Sequence, residues 1–342
     1  MAANYWASTQ RLYWQFSKQK LAETRRRIED EDRALVQQYP LPERRFLSIY
    51  FNQQIVKLGR RIQVRQQALA TAQIYVRRFY TKVEIRQTNP YLVMATAVYL
   101  ACKMEECPQH IRFVVSEART FWPDFIPTDT SKLGECEFTL ISEMNSQLIV
   151  HQPYRSLSDL QSTFSLAQDE VALAWSIIND HYLTDLPLLY PPHIVALTAV
   201  FLAVVLKPTQ TSLHAAATSA AAAASAVQAA TSSVNSSGNG FPSSSSGGNA
   251  TSTPQTKVQE LVGWLAESDA DMEAIIDCTQ ELISLYDVWE QYNEKGDLRT
   301  FQQMENMRFQ KGGELWGIEK RNRWRNEVGV IGSDRFFVSQ FD

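Results

Sequence analysis

The apolar positions of this chain recur at helical rather than strand spacing, and one run of them occurs twice. Residues 90–102 read Pro-Tyr-Leu-Val-Met-Ala-Thr-Ala-Val-Tyr-Leu-Ala-Cys, and residues 192–204 read Pro-His-Ile-Val-Ala-Leu-Thr-Ala-Val-Phe-Leu-Ala-Val, with seven of thirteen positions identical. The match extends upstream without a gap, where Ala70, Ala72 and Tyr80 meet Ala172, Ala174 and Tyr182. The repeated element is therefore at least a helix pair, and it defines the folding unit. Each copy opens on a proline, which suits the first helical position because its missing N–H would have no partner there. Each copy also stops before another proline, Pro108 and Pro208, as a helix end does. Both are apolar nearly all round, the pattern of a helix enclosed by others. From His193 to Leu206 there are fourteen apolar or near-apolar residues, short of the roughly 18 to 20 that a bilayer span needs. The repeat thus predicts the centres of two helical units and no membrane segment.

Around the first copy the periodicity predicts five helices: about Pro42 to Leu58, ending at Gly59; about Val64 to Tyr80; the repeated helix from Pro90; about Gln109 to Phe121; and about Ser131 to Leu148. The last places Leu133, Leu140, Ile141, Met144 and Leu148 on one face. At 100 degrees per residue Glu137 points toward that face and Glu135 away from it. The second unit opens with a capping signature at Ser165 to Gln168, continues through Val171, Ala174, Trp175, Ile178 and Tyr182, and reaches the repeated helix at Pro192. From about 209 to 256 the chain is Ala, Ser, Thr, Gly and Asn with almost no large apolar side chains. Such a tract cannot offset its ordering entropy and is expected to be disordered. Helical patterning resumes at Thr253-Pro254 with Val258, Leu261, Val262 and Leu265. A second capping signature at Ser268 to Asp271 opens a stripe of Met272, Ile275, Ile276, Leu282, Ile283, Tyr286 and Trp289. The tract is then an insertion between the second and third helices of the second unit. The expected organisation is all-α: an amino-terminal helical segment (1–40), a first unit (41–150), a second unit (151–295) carrying the insertion (about 209–256), and a tail (296–342).

The amino-terminal segment crowds Tyr5, Trp6, Leu12, Tyr13, Trp14 and Phe16 into a short stretch. Such a cluster either packs on its own domain or anchors a partner, since Trp and Tyr dominate interface energies; Tyr5, Trp6 and Trp14 are the candidates for partner docking. Residues 18–38 read as a charged helical stretch of mixed sign.

Composition narrows the function classes. A length of 342 residues is a prior for about two domains. A net charge of −4 sets up no general pull toward nucleic acid or anionic membrane. The four cysteines, Cys102, Cys107, Cys136 and Cys278, form no CxxC pair and read as buried free thiols of a reducing compartment. There is no Gly-rich phosphate loop, GxSxG elbow or HExxH motif, and the five histidines are scattered. Cys102, Cys107 and His110 lack a fourth ligand and a zinc spacing. Neither a catalytic residue, a cofactor site nor a metal site is expected. The basic run Lys320-Arg321-Asn322-Arg323-Trp324-Arg325 reads as a solvated tail or an import signal before it reads as a nucleic-acid site.

Two tandem five-helix units, each around an alanine-rich central helix, resemble the two boxes of the cyclin family. The resemblance is carried by Leu100-Ala101-Cys102-Lys103-Met104-Glu105-Glu106 at the end of the third helix and by Gly134-Glu135-Cys136-Glu137-Phe138 in the fifth. Within the family the chain is most similar to the cyclin C branch, which partners the Mediator-associated kinase. That similarity rests on Asn4-Tyr5-Trp6-Ala7-Ser8-Thr9-Gln10, on Leu148-Ile149-Val150-His151-Gln152-Pro153-Tyr154-Arg155, and on Thr184-Asp185-Leu186-Pro187-Leu188-Leu189-Tyr190-Pro191-Pro192. The resemblance implies a non-catalytic nuclear subunit that grips the helix C of a cyclin-dependent kinase with its first box and regulates RNA polymerase II transcription. Other subunits of the Mediator kinase module are the further partners it implies. By motif the kinase-binding residues are Lys103, Glu106 and Glu135. At the repeat offset Lys103 becomes Val205, so the second unit lacks the charged grip. Glu43-Arg44-Arg45-Phe46-Leu47 carries no MRAIL-type substrate-docking motif. Alternatives are a cyclin H-like subunit of a general transcription kinase and a TFIIB-like factor of the same fold that contacts DNA.

Overall fold

The computed structural model describes residues 4–206 and 254–292. Among them there are fourteen α-helices and no strand. Most of the insertion, the tail from 296 and its basic run lie outside the described residues. The chain divides into two compact units: Gln19–Leu148 with Tyr292, and Ile149–Gln291 with the segment up to Lys18.

In the first unit α2 (Lys18–Glu31) and α3 (Arg33–Gln38) precede five helices: α4 (Arg44–Arg61), α5 (Gln66–Phe79), α6 (Pro90–Met104), α7 (Ile111–Phe121) and α8 (Thr130–Glu143). In the second, α1 (Thr9–Tyr13) joins α9 (Pro153–Thr163), α10 (Gln168–His181), the short α11 (Leu186–Leu189), α12 (Pro192–Leu206), α13 (Pro254–Glu267) and α14 (Met272–Gln291).

The repeated helices are α6 and α12, and their composition follows from their position. α6 packs against α4, α5, α7 and α8, while α12 packs against α9, α10, α13 and α14. A helix with neighbours on every side has no polar face to spare. Twelve of the fifteen residues of α6 are buried, including Thr96, whose hydroxyl donates to the Leu92 carbonyl at 2.7 Å. Its counterpart Thr198 does the same to Ile194 at 2.9 Å. A buried hydroxyl satisfied within its own helix carries no desolvation debt. The correspondence reaches the fifth helix of each unit: Cys136 of α8 is hydrogen-bonded to Thr96, and Cys278 of α14 to Thr198.

Several boundaries differ from the sequence expectation, each for a local reason. α4 does not end at Gly59 but runs to Arg61, because Gly59 is a contact point: a Cβ there would lie 2.1 Å from Leu69 Cδ2 of α5. α8 stops at Glu143, where Asn145 and Ser146 take positive φ, instead of reaching Leu148. The charged stretch 18–38 is broken between α2 and α3 at Asp32.

In the second unit α9 was not anticipated, although Pro153 at its start and buried Leu157 mark it. The tract after residue 206 therefore follows the third helix of that unit, not its second. Ala167 is the N-cap of α10, not Ser165, and the Glu170 carboxylate accepts the Ala167 N–H at 2.7 Å. Asp271, not Ser268, caps α14 by accepting from Ala274 N–H at 3.0 Å. The broad stripe read on α14 is split: Ile275, Leu282 and neighbouring Cys278 and Leu285 are buried, whereas Met272, Ile276, Ile283, Tyr286 and Trp289 are exposed.

The amino-terminal aromatics belong to the second unit. Gln10 makes two hydrogen bonds to the His151 backbone, accepting at 2.7 Å and donating at 3.3 Å. Phe16 N–H donates to Leu188 O at 2.7 Å, and Lys18 pairs with Asp277 at 2.7 Å. The segment 1–40 is thus not one element; its first part is tied to the second unit and α2 to the first.

Candidate functional site

The residues singled out in the first unit lie at the ends of α6 and α8, which pack together. α6 ends as Glu105 closes its last turn, donating its N–H to Ala101 O at 2.9 Å. The next residue, Glu106, turns the chain with φ of 53°, a left-handed conformation that costs a non-glycine residue some strain. It is exposed. Lys103 sits within the last turn, where a cation complements the helix dipole.

The acid that Lys103 meets is Glu137, not Glu135. Its ammonium forms an ion pair with Glu137 and lies 4.7 Å from the centre of the Tyr99 ring. The Glu137 side chain is 14 % exposed and that of Lys103 39 %, so the carboxylate is tucked in while the ammonium stays accessible. Glu135 is exposed and pairs instead with Lys132 on its own helix at 3.1 Å. Glu105 faces inward, accepting from the Thr71 hydroxyl at 2.5 Å. Burial raises its carboxyl above the usual range, and that hydrogen bond offsets part of the effect. The same turn brings Cys107 N–H to within 2.9 Å of Cys102 O, and burial pushes the Cys102 thiol up to about 12.

Next to Glu137 stands Phe138, 76 % exposed, and Met104 at the end of α6 is also largely exposed. Gly134, one turn before Phe138, has no heavy atom within 4 Å of where a Cβ would lie, so the α8 backbone is open to close approach there. Phe138 is the kind of exposed aromatic that protein-binding surfaces favour, and Lys103 supplies an accessible charge on the neighbouring helix. Among the described residues no group of three His, Cys, Asp or Glu side chains is placed to hold a metal, and no helix is long and apolar enough to cross a membrane.

The sequence reading did not single out Phe138 or Tyr99, and it took Lys103 and Glu135 as separate anchors without the Lys103–Glu137 pair. Phe138 was within reach: it lies well off the Leu133, Leu140 and Met144 face of α8.

Residues 16–149 match the family described as Cyclin, N-terminal domain. The chain is also 61 % identical over 295 residues to the RNA polymerase II holoenzyme cyclin-like subunit of Aspergillus oryzae, covering 86 % of this chain and 94 % of that one. The protein belongs to the cyclin family. The cyclin is 56 % identical over 347 residues to the subunit of the same description from Chaetomium globosum, with 86 % and 95 % covered. Its fold is similar to that of a chain in the CAK complex of Chaetomium thermophilum bound to ATP-gamma-S, with a TM-score of 0.62, 18 % identity and 98 % of both chains covered. A chain of the yeast TFIIK complex (Kin28/Ccl1/Tfb3) gives a TM-score of 0.54 at 15 % identity, covering 81 % of the cyclin and all of that chain. These two likenesses are of fold.

The aromatic residues of the amino-terminal segment separate in the structure. Trp14 of the cyclin is 2 % exposed, so it is core and not an anchor for a partner. Tyr5 is half-buried, edge-on to His151 at 5.5 Å and His193 at 6.3 Å. Burial raises its hydroxyl to about 12. Trp6 is 55 % exposed, with Arg11 5.0 Å over its ring.

Proposed function

We propose that this cyclin is the non-catalytic regulatory subunit of a cyclin-dependent kinase of the Mediator-associated type, acting in the nucleus on RNA polymerase II transcription. The family membership carries the regulatory role. The identity to subunits described as RNA polymerase II holoenzyme cyclin-like carries the transcriptional one, with the other subunits of the Mediator kinase module as further partners. The reading that the kinase meets the first unit is supported by the accessible Lys103, ion-paired with Glu137, and by the exposed Phe138 of the same helix as Glu137; the second unit has Val205 where the lysine would be.

In this reading the kinase lays its helix C across the ends of α6 and α8. Phe138 and Met104 supply apolar contact, and Lys103, steered by Glu137 and Tyr99, offers its ammonium to a carboxylate or helix carbonyl of the kinase. Glu106 and Glu135 stand at the rim. Holding helix C inward keeps its glutamate on the ATP-binding lysine and lets the activation loop order. The cyclin contributes position and no reacting group.

The test is co-purification with a Mediator-type kinase, together with kinase activity, for wild type, Lys103→Glu and Phe138→Ala. A reversed charge at a desolvated contact costs several kcal/mol, so Lys103→Glu is expected to lose the complex. Phe138→Ala is expected to weaken it by about tenfold or more. The double reversal Lys103→Glu/Glu137→Lys restores the internal pair but not the charge presented, and should remain defective. Full kinase binding and activity in all three variants would remove this surface from the proposal.

A further inference from the structure

The last helix of the second unit shows a face that the kinase-binding reading leaves unused. Ile275, Cys278, Leu282 and Leu285 of α14 are buried against the unit. Directly beside that row, Met272, Ile276, Thr279 and Ile283 follow at i, i+4, i+7 and i+11, the spacing of a helix–helix seam. The three large members are 44 %, 52 % and 51 % exposed. Residues on the solvent side of this row, Glu273 and Asp287, are acidic and exposed.

The acidity is a property of the whole region. From 254 to 291 the chain holds nine acidic residues and one lysine, Lys257. That lysine is spent on Glu170, at 3.1 Å, so it neutralises none of the acids around the seam. Asp277 is paired with Lys18 at 2.7 Å, but an exposed apolar row at seam spacing, bordered by the exposed carboxylates of Glu273 and Asp287, restricts what can cover it. A second copy of this chain would bring like charge against like charge. Anionic membrane and nucleic acid are repelled for the same reason. The chemistry that fits it is an amphipathic helix with apolar residues at the same spacing and lysine or arginine on its flanks.

We propose that the exposed row Met272, Ile276 and Ile283 of α14 is a docking surface for a basic amphipathic helix of a partner protein other than the kinase. The apolar seam supplies the contact area, and Glu273 and Asp287 set the sign and register of the partner. The surface lies in the second unit.

The experiment uses the full-length chain and a pair of labelled synthetic helices. Both carry leucine at seam spacing; one has lysine at the flanking positions and the other glutamate. Binding is followed by fluorescence anisotropy. The lysine helix is expected to bind saturably, with affinity falling as salt rises, and the glutamate helix not to bind. Ile276→Ser/Ile283→Ser should weaken the lysine helix by about tenfold or more. Glu273→Lys/Asp287→Lys alters only exposed positions and so keeps the fold; it should lose the lysine helix and gain the glutamate one. Equal binding of the lysine helix to wild type and to both variants would overturn the proposal. So would a wild-type dimer, seen by sedimentation, that Ile276→Ser/Ile283→Ser dissolves, because a second copy would then be the occupant.

Discussion

Lys103 combines two demands that usually conflict: it must be accessible to a partner and yet held in one place. The structure meets both by burying the restraint and exposing the charge. Glu137 and the Tyr99 ring fix the ammonium from beneath, while more than a third of the side chain stays open. The pair is exposed on the lysine side and largely buried on the glutamate side, so removing the lysine costs about 1–3 kcal/mol through the acid left without its partner. Lys103→Ala should therefore shift the urea midpoint of the free cyclin by no more than that amount, even as kinase association falls. A larger loss of stability would mean that the lysine is structural and the binding defect indirect. The helical period had already turned Glu137 inward and Glu135 outward, and the structure agrees with that geometry. What the period could not reveal is that the lysine of a neighbouring helix leans toward the inward acid. Such pairing depends on how α6 and α8 pack, which no single-helix pattern contains.

At the scale of the helices, the legible features were those that repeat or that depend on an element's own sequence. Two copies of a run apolar on all sides announce two enclosed helices, and α6 and α12 each have four neighbours. Features that depend on a contact between elements were misread, and Gly59 is the instructive case. As sequence it reads as a helix stop, since glycine is costly inside a helix. In the structure it is buried within α4, at the place where Leu69 of α5 approaches. Gly59→Ala would gain up to about 1 kcal/mol of helix propensity. It would also place a methyl group 2.1 Å from Leu69 Cδ2, with Cγ and Cδ1 of that side chain at 3.1 and 3.2 Å. Leu69 is itself 4 % exposed and has little room to move. Overpacking of this kind costs about 1–3 kcal/mol, so Gly59→Ala should lower the melting temperature. Leu69→Ala combined with it should be less harmful than the sum of the two single changes. Additive losses would show that the glycine is not there for the close approach.

For the molecule as a whole, a buried thiol repeated in each unit makes stability depend on alkaline pH in a defined direction. Each unit encloses a fully buried thiol, Cys102 in the first and Cys278 in the second. Burial raises both from the ordinary value of 9.0 to about 12, and the hydrogen bond with Thr198 offsets only part of the effect for Cys278. Cys136 is raised to about 11 by burial as well. Below pH 9 these thiols are protonated whether the chain is folded or not, and they contribute nothing to the pH dependence. Above pH 9 the unfolded chain releases the protons while the folded chain holds them, so stability falls with rising pH. By pH 10 the loss is about 1 kcal/mol for each of the two fully buried thiols. Burial also raises Tyr75, Tyr80, Tyr190 and Tyr286 above the ordinary value of 10.0, so their ionisation in the unfolded chain adds to the loss as the pH reaches 10. Tyr5, raised from 10.0 to about 12 by burial, adds to the same loss. Arg78, fully buried and lowered from 12.5 to about 10, acts in the opposite sense, because the folded state gives up its proton first. The onset of the decline near pH 9 therefore belongs to the thiols, and the tyrosines join them toward pH 10. Urea midpoints followed by circular dichroism should be level from pH 7.5 to 8.5 and decline toward pH 10, and Cys278→Ala should flatten part of that decline. A midpoint that holds steady to pH 10 in the wild type would show that the thiols ionise as readily inside the units as outside them. The pairing of a fifth-helix cysteine with a central-helix threonine would then be a matter of sequence and not of a sealed interior.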